Sequence, residues 1–255
     1  MKSTRLCCLF LPFVIQYTSI VSSKSISDWT KVVLTHHWPV TACMLLGSSC
    51  KSPPKMNYWT LHGLWPNNGD SCNNSWPFNV TEIQSLLPDM HTFWPDVAHP
   101  NGTKFWKHEW VKHGTCAVVD ESVNSEFKYF SKALELYKKL DLTSVLMKYN
   151  IKPSPSYYRM SDIRNAITST FGVHAKIQCI PPSEEQSAQI LGQIEICFNQ
   201  EYGLTDCVHE KSTEGSSPYF NKLQFFGIYQ ELNTGLMVCD EQLDTYYPPL
   251  NELHK

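Results

Sequence analysis

Eight cysteines that follow a secretory leader constrain the fold of this chain most strongly. The 255-residue chain contains ten cysteines, and two of them, Cys7 and Cys8, lie in the leader and would be removed with it. An even number of cysteines in an exported chain predicts disulfides rather than a metal cluster, but the sequence alone does not choose among the many possible pairings. The remaining eight are Cys43, Cys50, Cys72, Cys116, Cys179, Cys197, Cys207 and Cys239.

The leader is residues 1–23, which have the three parts of a signal peptide. Lys2 and Arg5 form the charged start, residues 6–15 form the apolar run, and small residues precede the cleavage site. The apolar run is too short to span a bilayer, and no later stretch is long and apolar enough to do so. The expected organisation is a signal peptide followed by one exported domain over residues 24–255.

Three sequons agree with an exported chain. Asn73, Asn79 and Asn101 each begin an N-glycosylation motif. Asn79 has a second interpretation, because Glu82 lies three residues later and the pair is typical of a capped helix.

Charge at first argues against a nucleic-acid partner. The formal net charge is −3, and it becomes −5 once Lys2 and Arg5 leave with the leader, whereas proteins that bind nucleic acid non-specifically usually have a basic surface. All ten histidines follow residue 23, so their full protonation would bring the net charge towards +5. A polyanionic substrate is therefore compatible with an acidic compartment.

The apolar periodicity predicts an α+β domain with an antiparallel sheet, because strands cluster at the two ends and helices in the middle. Predicted strands cover residues 28–38, 58–62, 173–179, 190–198, 223–229 and 236–239. Predicted helices cover residues 79–87, 126–140 and 161–171, and residues 90–103 are expected to be irregular. We expect Pro88 to stop the first helix, and Gly63 to stop the second strand directly after His62.

Residues 105–116 read FWKHEWVKHGTC and combine ionisable and aromatic side chains. In a helix, Glu109, Lys112 and His113 share one face at i, i+3 and i+4. Gly114 suits the left-handed position that ends a helix, and Cys116 could then tether that end.

Three interpretations compete for these residues and His62. A zinc helix requires two histidines four residues apart, but His108 and His113 are five apart. Ordinary hydrogen-bonded core histidines are the second interpretation. The third is acid–base catalysis without a metal, in which two imidazoles transfer protons, Lys112 supplies positive charge and Glu109 orients a histidine.

Two motifs carry a resemblance to a known family. Residues 59–66, WTLHGLWP, and residues 105–116 closely resemble the two active-site segments of the ribonuclease T2 family, and residues 37–39, HWP, extend the similarity. The resemblance covers most of the mature chain and points to an animal member of that family.

The resemblance implies a role for each matching residue. His113 corresponds to the general base that takes the proton from the 2'-oxygen of RNA, and His62 to the general acid for the leaving 5'-oxygen. Glu109 and Lys112 correspond to residues that stabilise the transition state, and His108 to one that helps to bind the phosphate.

Base contacts are implied less uniformly. Trp65 and Phe105 occupy positions where family members stack nucleobases, and for Phe105 core packing is an equal alternative. Some relatives have an aspartate that contacts the base where this chain has Asn67, so the base preference stays open.

The resemblance also implies an α+β fold with four disulfides, Cys43 with Cys50, Cys72 with Cys116, Cys179 with Cys239, and Cys197 with Cys207. We expect a monomeric endoribonuclease that cleaves single-stranded RNA but not DNA, without metal or cofactor. It would pass through the endoplasmic reticulum lumen and act outside the cell or in the lysosome lumen. The alternatives are a binding or signalling protein of the same fold and a metal-dependent phosphodiesterase.

Overall fold

The computed structural model describes residues 29–50, 55–207 and 235–250. The predicted signal peptide and the strand predicted over residues 223–229 lie outside these ranges. Within them, helices surround one largely antiparallel sheet, and the predicted α+β class is confirmed. No helix in the described part of the chain is long and apolar enough to cross a membrane.

The sheet is built around β5, its longest described strand. β2, β1, β5, β4 and β7 follow one another across it in antiparallel pairs, β6 also pairs with β5, and β8, which pairs with β3, runs parallel to β5. The described strands are β1 (Lys31–His37), β2 (Thr60–Pro66), β3 (Tyr157–Arg159), β4 (Lys176–Ile180), β5 (Gln189–Asn199), β6 (Leu204–Thr205), β7 (Met237–Val238) and β8 (Asp244–Tyr246).

Seven α-helices are described, joined by short 3₁₀ segments. They are α1 (Pro39–Leu46), α2 (Leu87–Phe93), α3 (Lys104–Glu109), α4 (Thr115–Ala117), α5 (Glu126–Leu140), α6 (Leu142–Lys148) and α7 (Met160–Phe171). The 3₁₀ segments are Gly47–Ser49, Val80–Leu86 and Glu121–Val123, and Trp110–Gly114 forms a π-helical turn.

Helix α5 has the predicted bounds because its signals are local. Ser125 caps it by accepting from the backbone N–H of Lys128, and Asp141 follows it in the left-handed conformation. Its face towards the core contains the fully buried Tyr129, whereas Phe127 is 44% exposed.

Two tyrosines of α5 attach it to β2. The Tyr129 hydroxyl donates to the carbonyl of Leu64 at 2.8 Å, and the Tyr137 hydroxyl donates to the carbonyl of Trp59 at 2.6 Å. Each hydroxyl satisfies a main-chain acceptor inside the core. The helix is thereby held to β2 at Leu64 and, just before the strand, at Trp59.

Pro88 does not stop a helix, and this prediction is wrong. The chain forms a 3₁₀ segment over Val80–Leu86 and then α2, whose first turn contains Pro88. Proline is tolerated there because the first N–H groups of a helix have no intrahelical partner. Residues 90–93, which were expected to be irregular, are consequently helical.

The four disulfides are the pairs that the resemblance implies: Cys43–Cys50, Cys72–Cys116, Cys179–Cys239 and Cys197–Cys207. All three sequon asparagines are exposed. Asn79 also caps the segment after it, since its side-chain oxygen accepts from the backbone N–H of Thr81 at 3.1 Å.

Candidate active site

His62 is the extra residue of a β-bulge between β1 and β2. Thr35 pairs with Gly63 and His36 pairs with Leu61, so His62 has no partner opposite it. Strand β2 therefore continues to Pro66, and the prediction that it ends at Gly63 is wrong. A bulge redirects the side chain it carries, which here is an imidazole.

Hydrogen bonds hold both the backbone and the imidazole of His62. Trp94 Nε1 donates to its backbone carbonyl at 2.8 Å, and its own Nδ1 lies 2.8 Å from Oε1 of Gln193. Its Nε2 lies 3.9 Å from Oε1 of Glu109. With Nδ1 bonded to Gln193, Nε2 is the nitrogen available for chemistry.

The second motif forms one continuous helical segment that does not end at Gly114. Helix α3, the π-helical turn and α4 follow without interruption, and Gly114 has right-handed φ and ψ of −58° and −43°. The predicted left-handed C-cap is therefore wrong. Glycine is required for another reason, because a Cβ at Gly114 would overlap the buried ring of Trp110.

The segment carries one buried carboxyl, one half-buried ammonium group and one half-buried imidazole. Glu109 is 1% exposed, and Lys112 and His113 are half-buried. The π-helical turn spans Lys112 and His113, which widens the helix where they leave it; such turns are frequent at functional sites.

Glu109 is fixed by an indole. Trp65 Nε1 donates to its Oε2 at 2.8 Å, while Oε1 has no hydrogen-bond partner among the described residues. Burial raises the pKa of Glu109 to about 8, although the Trp65 hydrogen bond and the Lys112 charge act in the opposite direction. Gly63 permits this arrangement, since a Cβ there would overlap Trp65 Nε1 and Glu109 Oε2.

Trp65 brings the two predicted catalytic histidines together. Its ring centroid lies 4.9 Å from that of His62 and 5.1 Å from that of His113. Both imidazoles thus contact one partly exposed indole, which also bonds Glu109.

The imidazoles of His62, His108 and His113 are poor bases in the folded protein. Burial, with smaller contributions from His108 and Lys112, lowers the pKa of His62 to about 4, although the Gln193 hydrogen bond raises it. Burial and then Lys112 lower the pKa of His108 to about 4, against the charge of Asp70, and hold the pKa of His113 well below its ordinary value. These histidines are therefore neutral at pH 7 and take up protons only in acid.

The side chains of Phe105 and Asn67 make contacts within the protein. Phe105 is 2% exposed and packs its ring against His37 and His62, with centroids 6.2 and 5.7 Å apart. Asn67 Oδ1 accepts from the backbone N–H groups of Thr30 and Lys31 at 2.9 and 3.0 Å. Asn67 thus holds the start of β1.

Gln193 and His37 were not predicted from the residues as parts of the site. The alternation along β5 places Gln193 on its polar face, but nothing in the sequence shows that this face is covered by the site. His37 appeared only within a shared motif, yet its ring lies 5.3 Å from that of His62. In the described part of the chain, no group of three or more His, Cys, Asp or Glu side chains is arranged to hold a metal ion.

Comparison with known proteins identifies the family. The model of the ribonuclease T2 family matches residues 29–207. Ribonuclease T2 of Danio rerio is 47% identical over 246 residues, which cover 94% of this chain and 98% of that protein. Ribonuclease T2 of Homo sapiens is 44% identical over 230 residues, which cover 89% of this chain and 88% of that protein.

Solved structures support the same family. The crystal structure of human RNase T2 superimposes with a TM-score of 0.71 at 44% identity and covers 87% of this chain and 99% of that one. Ribonuclease MC1 from bitter gourd seeds superimposes with a TM-score of 0.62 at 28% identity, covering 71% and 95%. The chain belongs to the ribonuclease T2 family. It is an endoribonuclease.

Proposed function

We propose that this protein is an acid endoribonuclease that cleaves single-stranded RNA by transesterification, without a metal or cofactor. The 2'-hydroxyl attacks the adjacent phosphorus, the bond to the 5'-oxygen breaks, and the products are a 2',3'-cyclic phosphate and a 5'-hydroxyl. The observation that carries the proposal is the contact of His62 and His113 with the same indole, beside a buried carboxyl.

His113 is the general base. It is half-buried, so a ribose can reach it, and burial followed by the charge of Lys112 holds its pKa well below the ordinary value, which favours the neutral imidazole. A neutral imidazole accepts the 2'-hydroxyl proton as the new oxygen–phosphorus bond forms.

His62 is the general acid. Its Nδ1 is bonded to Gln193, so its Nε2 is free to donate a proton to the leaving 5'-oxygen. The pKa of about 4 in the free protein means that His62 is loaded with this proton in acid. An acidic lumen therefore suits this chemistry better than neutral pH.

Glu109 and Lys112 stabilise the charge that develops at phosphorus. With a pKa of about 8, Glu109 is protonated in acid, and its Oε1 is the oxygen without a partner in the described residues. A protonated carboxyl donates a hydrogen bond to a non-bridging phosphoryl oxygen, which is worth more in a buried site than in water. Lys112 adds a cation, and His108 helps to bind the phosphate.

Trp65 provides a stacking surface for a base. Its ring is partly exposed, and stacking on an aromatic ring tolerates any base. The burial of Phe105 favours packing against the histidines over base stacking at that position. The side-chain oxygen of Asn67 already accepts hydrogen bonds from the backbone at the start of β1, so we assign Asn67 no base contact.

The remaining proposals concern the whole chain. Residues 1–23 are a signal peptide, and residues 24–255 form a single monomeric domain that is glycosylated on exposed sequons. The protein passes through the endoplasmic reticulum and acts in the lysosome lumen or outside the cell. DNA is not a substrate because it lacks the 2'-hydroxyl nucleophile.

The experiment is the digestion of one defined single-stranded RNA and its 2'-deoxy counterpart at acidic pH, with and without a chelator. Mass spectrometry should find 2',3'-cyclic phosphate ends from the RNA alone, at equal rates in both buffers. Cleavage of the deoxy strand, or loss of activity with the chelator, would overturn the proposal.

A further inference from the structure

A row of buried polar side chains extends from His62 across the sheet. Gln193 on β5 is 1% exposed, and its Oε1 lies 2.8 Å from Nδ1 of His62. Its Nε2 donates to Oε1 of Gln178 at 2.6 Å and to Oε1 of Glu195 at 3.2 Å. Every polar atom of this amide therefore has a partner.

Glu195 is in turn held by a cation. Lys176 Nζ lies 2.9 Å from its Oε1 and 3.0 Å from its Oε2, and the two residues are opposite each other on β4 and β5. The Glu195 side chain is 7% exposed and that of Lys176 is 22% exposed. This ion pair is sheltered, so solvent screens its charges less than those of a surface pair.

The arrangement fixes the orientation of the Gln193 amide. If the amide were reversed, its oxygen would face the Glu195 carboxylate, which only accepts hydrogen bonds, and its N–H groups would face His62. The hydrogen bond to Glu195 would become a contact between two acceptors, whereas the amide of Gln178 could reverse with its partner. The oxygen must therefore face His62, which requires a proton on Nδ1 and leaves Nε2 directed to Glu109.

We propose that Gln193, Glu195 and Lys176 form a positioning relay for His62. The Glu195 carboxylate fixes and polarises the Gln193 amide, so its oxygen always accepts from Nδ1 of His62. Lys176 holds the carboxylate in place. These are positioning residues for the proton donor, and this inference rests on the role of His62 given under the proposed function.

The relay favours the protonated form of His62, which burial and the nearby cations disfavour. Glu109 on α3 and His37 on β1 face its ring, and His108, Lys112 and His113 approach from the second motif. Burial and the nearby cations disfavour the imidazolium form, and the Gln193 hydrogen bond is the contact that favours it. An acceptor polarised by an anion strengthens this effect.

The relay predicts that substitutions of Glu195 and Lys176 shift the pKa of His62 in opposite directions. Glu195→Gln removes the anion and frees the amide to reorient, so the pKa of His62 should fall and its Nδ1–H tautomer should be partly lost. Lys176→Met removes the cation, so the pKa of His62 should rise. In the pH profile of kcat/KM, the alkaline limb should shift down in the first variant and up in the second, because the acid must hold its proton. For Glu195→Gln, kcat should fall about tenfold with little change in KM.

The decisive measurement is the titration of His62 by NMR with ¹⁵N-labelled histidine, which reports pKa and tautomer whether or not His62 acts on RNA. It should be made for wild type, Glu195→Gln, Gln193→Ala and the double variant. The relay predicts that Glu195→Gln shifts His62 in the wild-type background and has no effect once Gln193 is alanine. Glu135→Gln, which breaks a surface ion pair of α5 with Lys132, is the matched control and should shift nothing.

Three outcomes would contradict the proposals, two of them the relay and one the role of His62. An equal shift of His62 in both backgrounds would mean that the charge of Glu195 acts through space, and an unchanged His62 would mean that the ion pair only stabilises the sheet; either result overturns the relay. A His62 shift that the pH profile fails to follow would leave the relay intact and overturn the role of His62 as the general acid.

Discussion

The Nε2 atom of His62 lies 3.9 Å from Oε1 of Glu109, and both side chains are uncharged between about pH 4 and pH 8. Burial holds the imidazole neutral down to about pH 4 and the carboxyl protonated up to about pH 8. The contact is therefore between an uncharged acid and an uncharged base. A phosphate entering there would meet two potential proton donors in acid.

Substitution of Glu109 tests its protonated form. Glutamine retains an acceptor for Trp65 and places N–H groups at the position of Oε1, so Glu109→Gln should lower kcat by only about tenfold. Glu109→Ala removes the donor and should lower kcat by about 10²–10³-fold. Single-turnover cleavage of RNA at acidic pH gives both values. Equal losses would mean that the ionised carboxylate is required.

The expected pH dependence of kcat/KM follows from the directions of the pKa shifts of His62 and His113. His113 must be neutral and has a pKa well below its ordinary value, whereas His62 must be protonated and has a pKa of about 4. The value of kcat/KM should therefore be greatest in acid and fall as the pH rises through the pKa of His62. Measurement over the acidic to neutral range should show this limb, and His62→Ala should lack it. A maximum at neutral pH would contradict these assignments.

Local signals predicted helix α5 better than the strand that carries His62. The cap at Ser125 and the apolar spacing of α5 lie within the helix itself, so its bounds could be predicted. The bulge at His62 depends on the register between β1 and β2, which no local pattern encodes. The same holds for Gly114, whose need for glycine arises from Trp110 packing against it.

The central residues of the candidate site could be predicted from the sequence, but the residues that position them could not. The types and spacing of His62, Glu109 and His113 allowed acid–base chemistry as one of three interpretations, and the resemblance to the two active-site segments favoured it. Gln193 could not be predicted as a site residue, because a polar residue at alternating spacing usually faces solvent. In the structure, both faces of β5 are covered. Long-range contacts of this kind follow from topology.

Removal of the Cys72–Cys116 bridge should lower the turnover of the molecules that remain folded, in addition to lowering the stability of the fold. It joins the loop after β2 to α4, beside a hydrogen bond from the Ser71 N–H to the Lys112 carbonyl at 2.8 Å. The bridge contributes ~2–4 kcal/mol to stability, and its loss also loosens the second motif relative to His62. Turnover per folded molecule should fall about tenfold in the variant with both cysteines changed to serine.

The matched control is the same double substitution at Cys43 and Cys50, a bridge that closes a short loop beside α1. Its turnover per folded molecule should equal that of the wild type. Normal turnover without the Cys72–Cys116 bridge would show that the bridge does not set the geometry of the site.

His36 should make the fold sensitive to acid. It is fully buried against Tyr137, and burial lowers its pKa from 6.5 to about 4. The unfolded chain binds the proton more readily, so stability is lost as the pH falls from about 6.5 to about 4, by roughly 3 kcal/mol. His36→Phe should reduce this loss in urea unfolding at the two pH values, and His174→Gln, at an exposed histidine, should not. An unchanged loss in His36→Phe would show that another group is responsible.

The division of labour between His62 and His113 is tested most directly with two substrates that share one nucleophile. One is a dinucleotide whose 5'-oxygen leaves only with a proton, and the other is a nucleoside 3'-(4-nitrophenyl phosphate) whose leaving group departs as an anion. His62→Ala should lose about 10²–10⁴-fold in kcat on the dinucleotide but little on the nitrophenyl ester, whereas His113→Ala should lose activity on both. Equal losses of His62→Ala on the two substrates would contradict its role as the general acid.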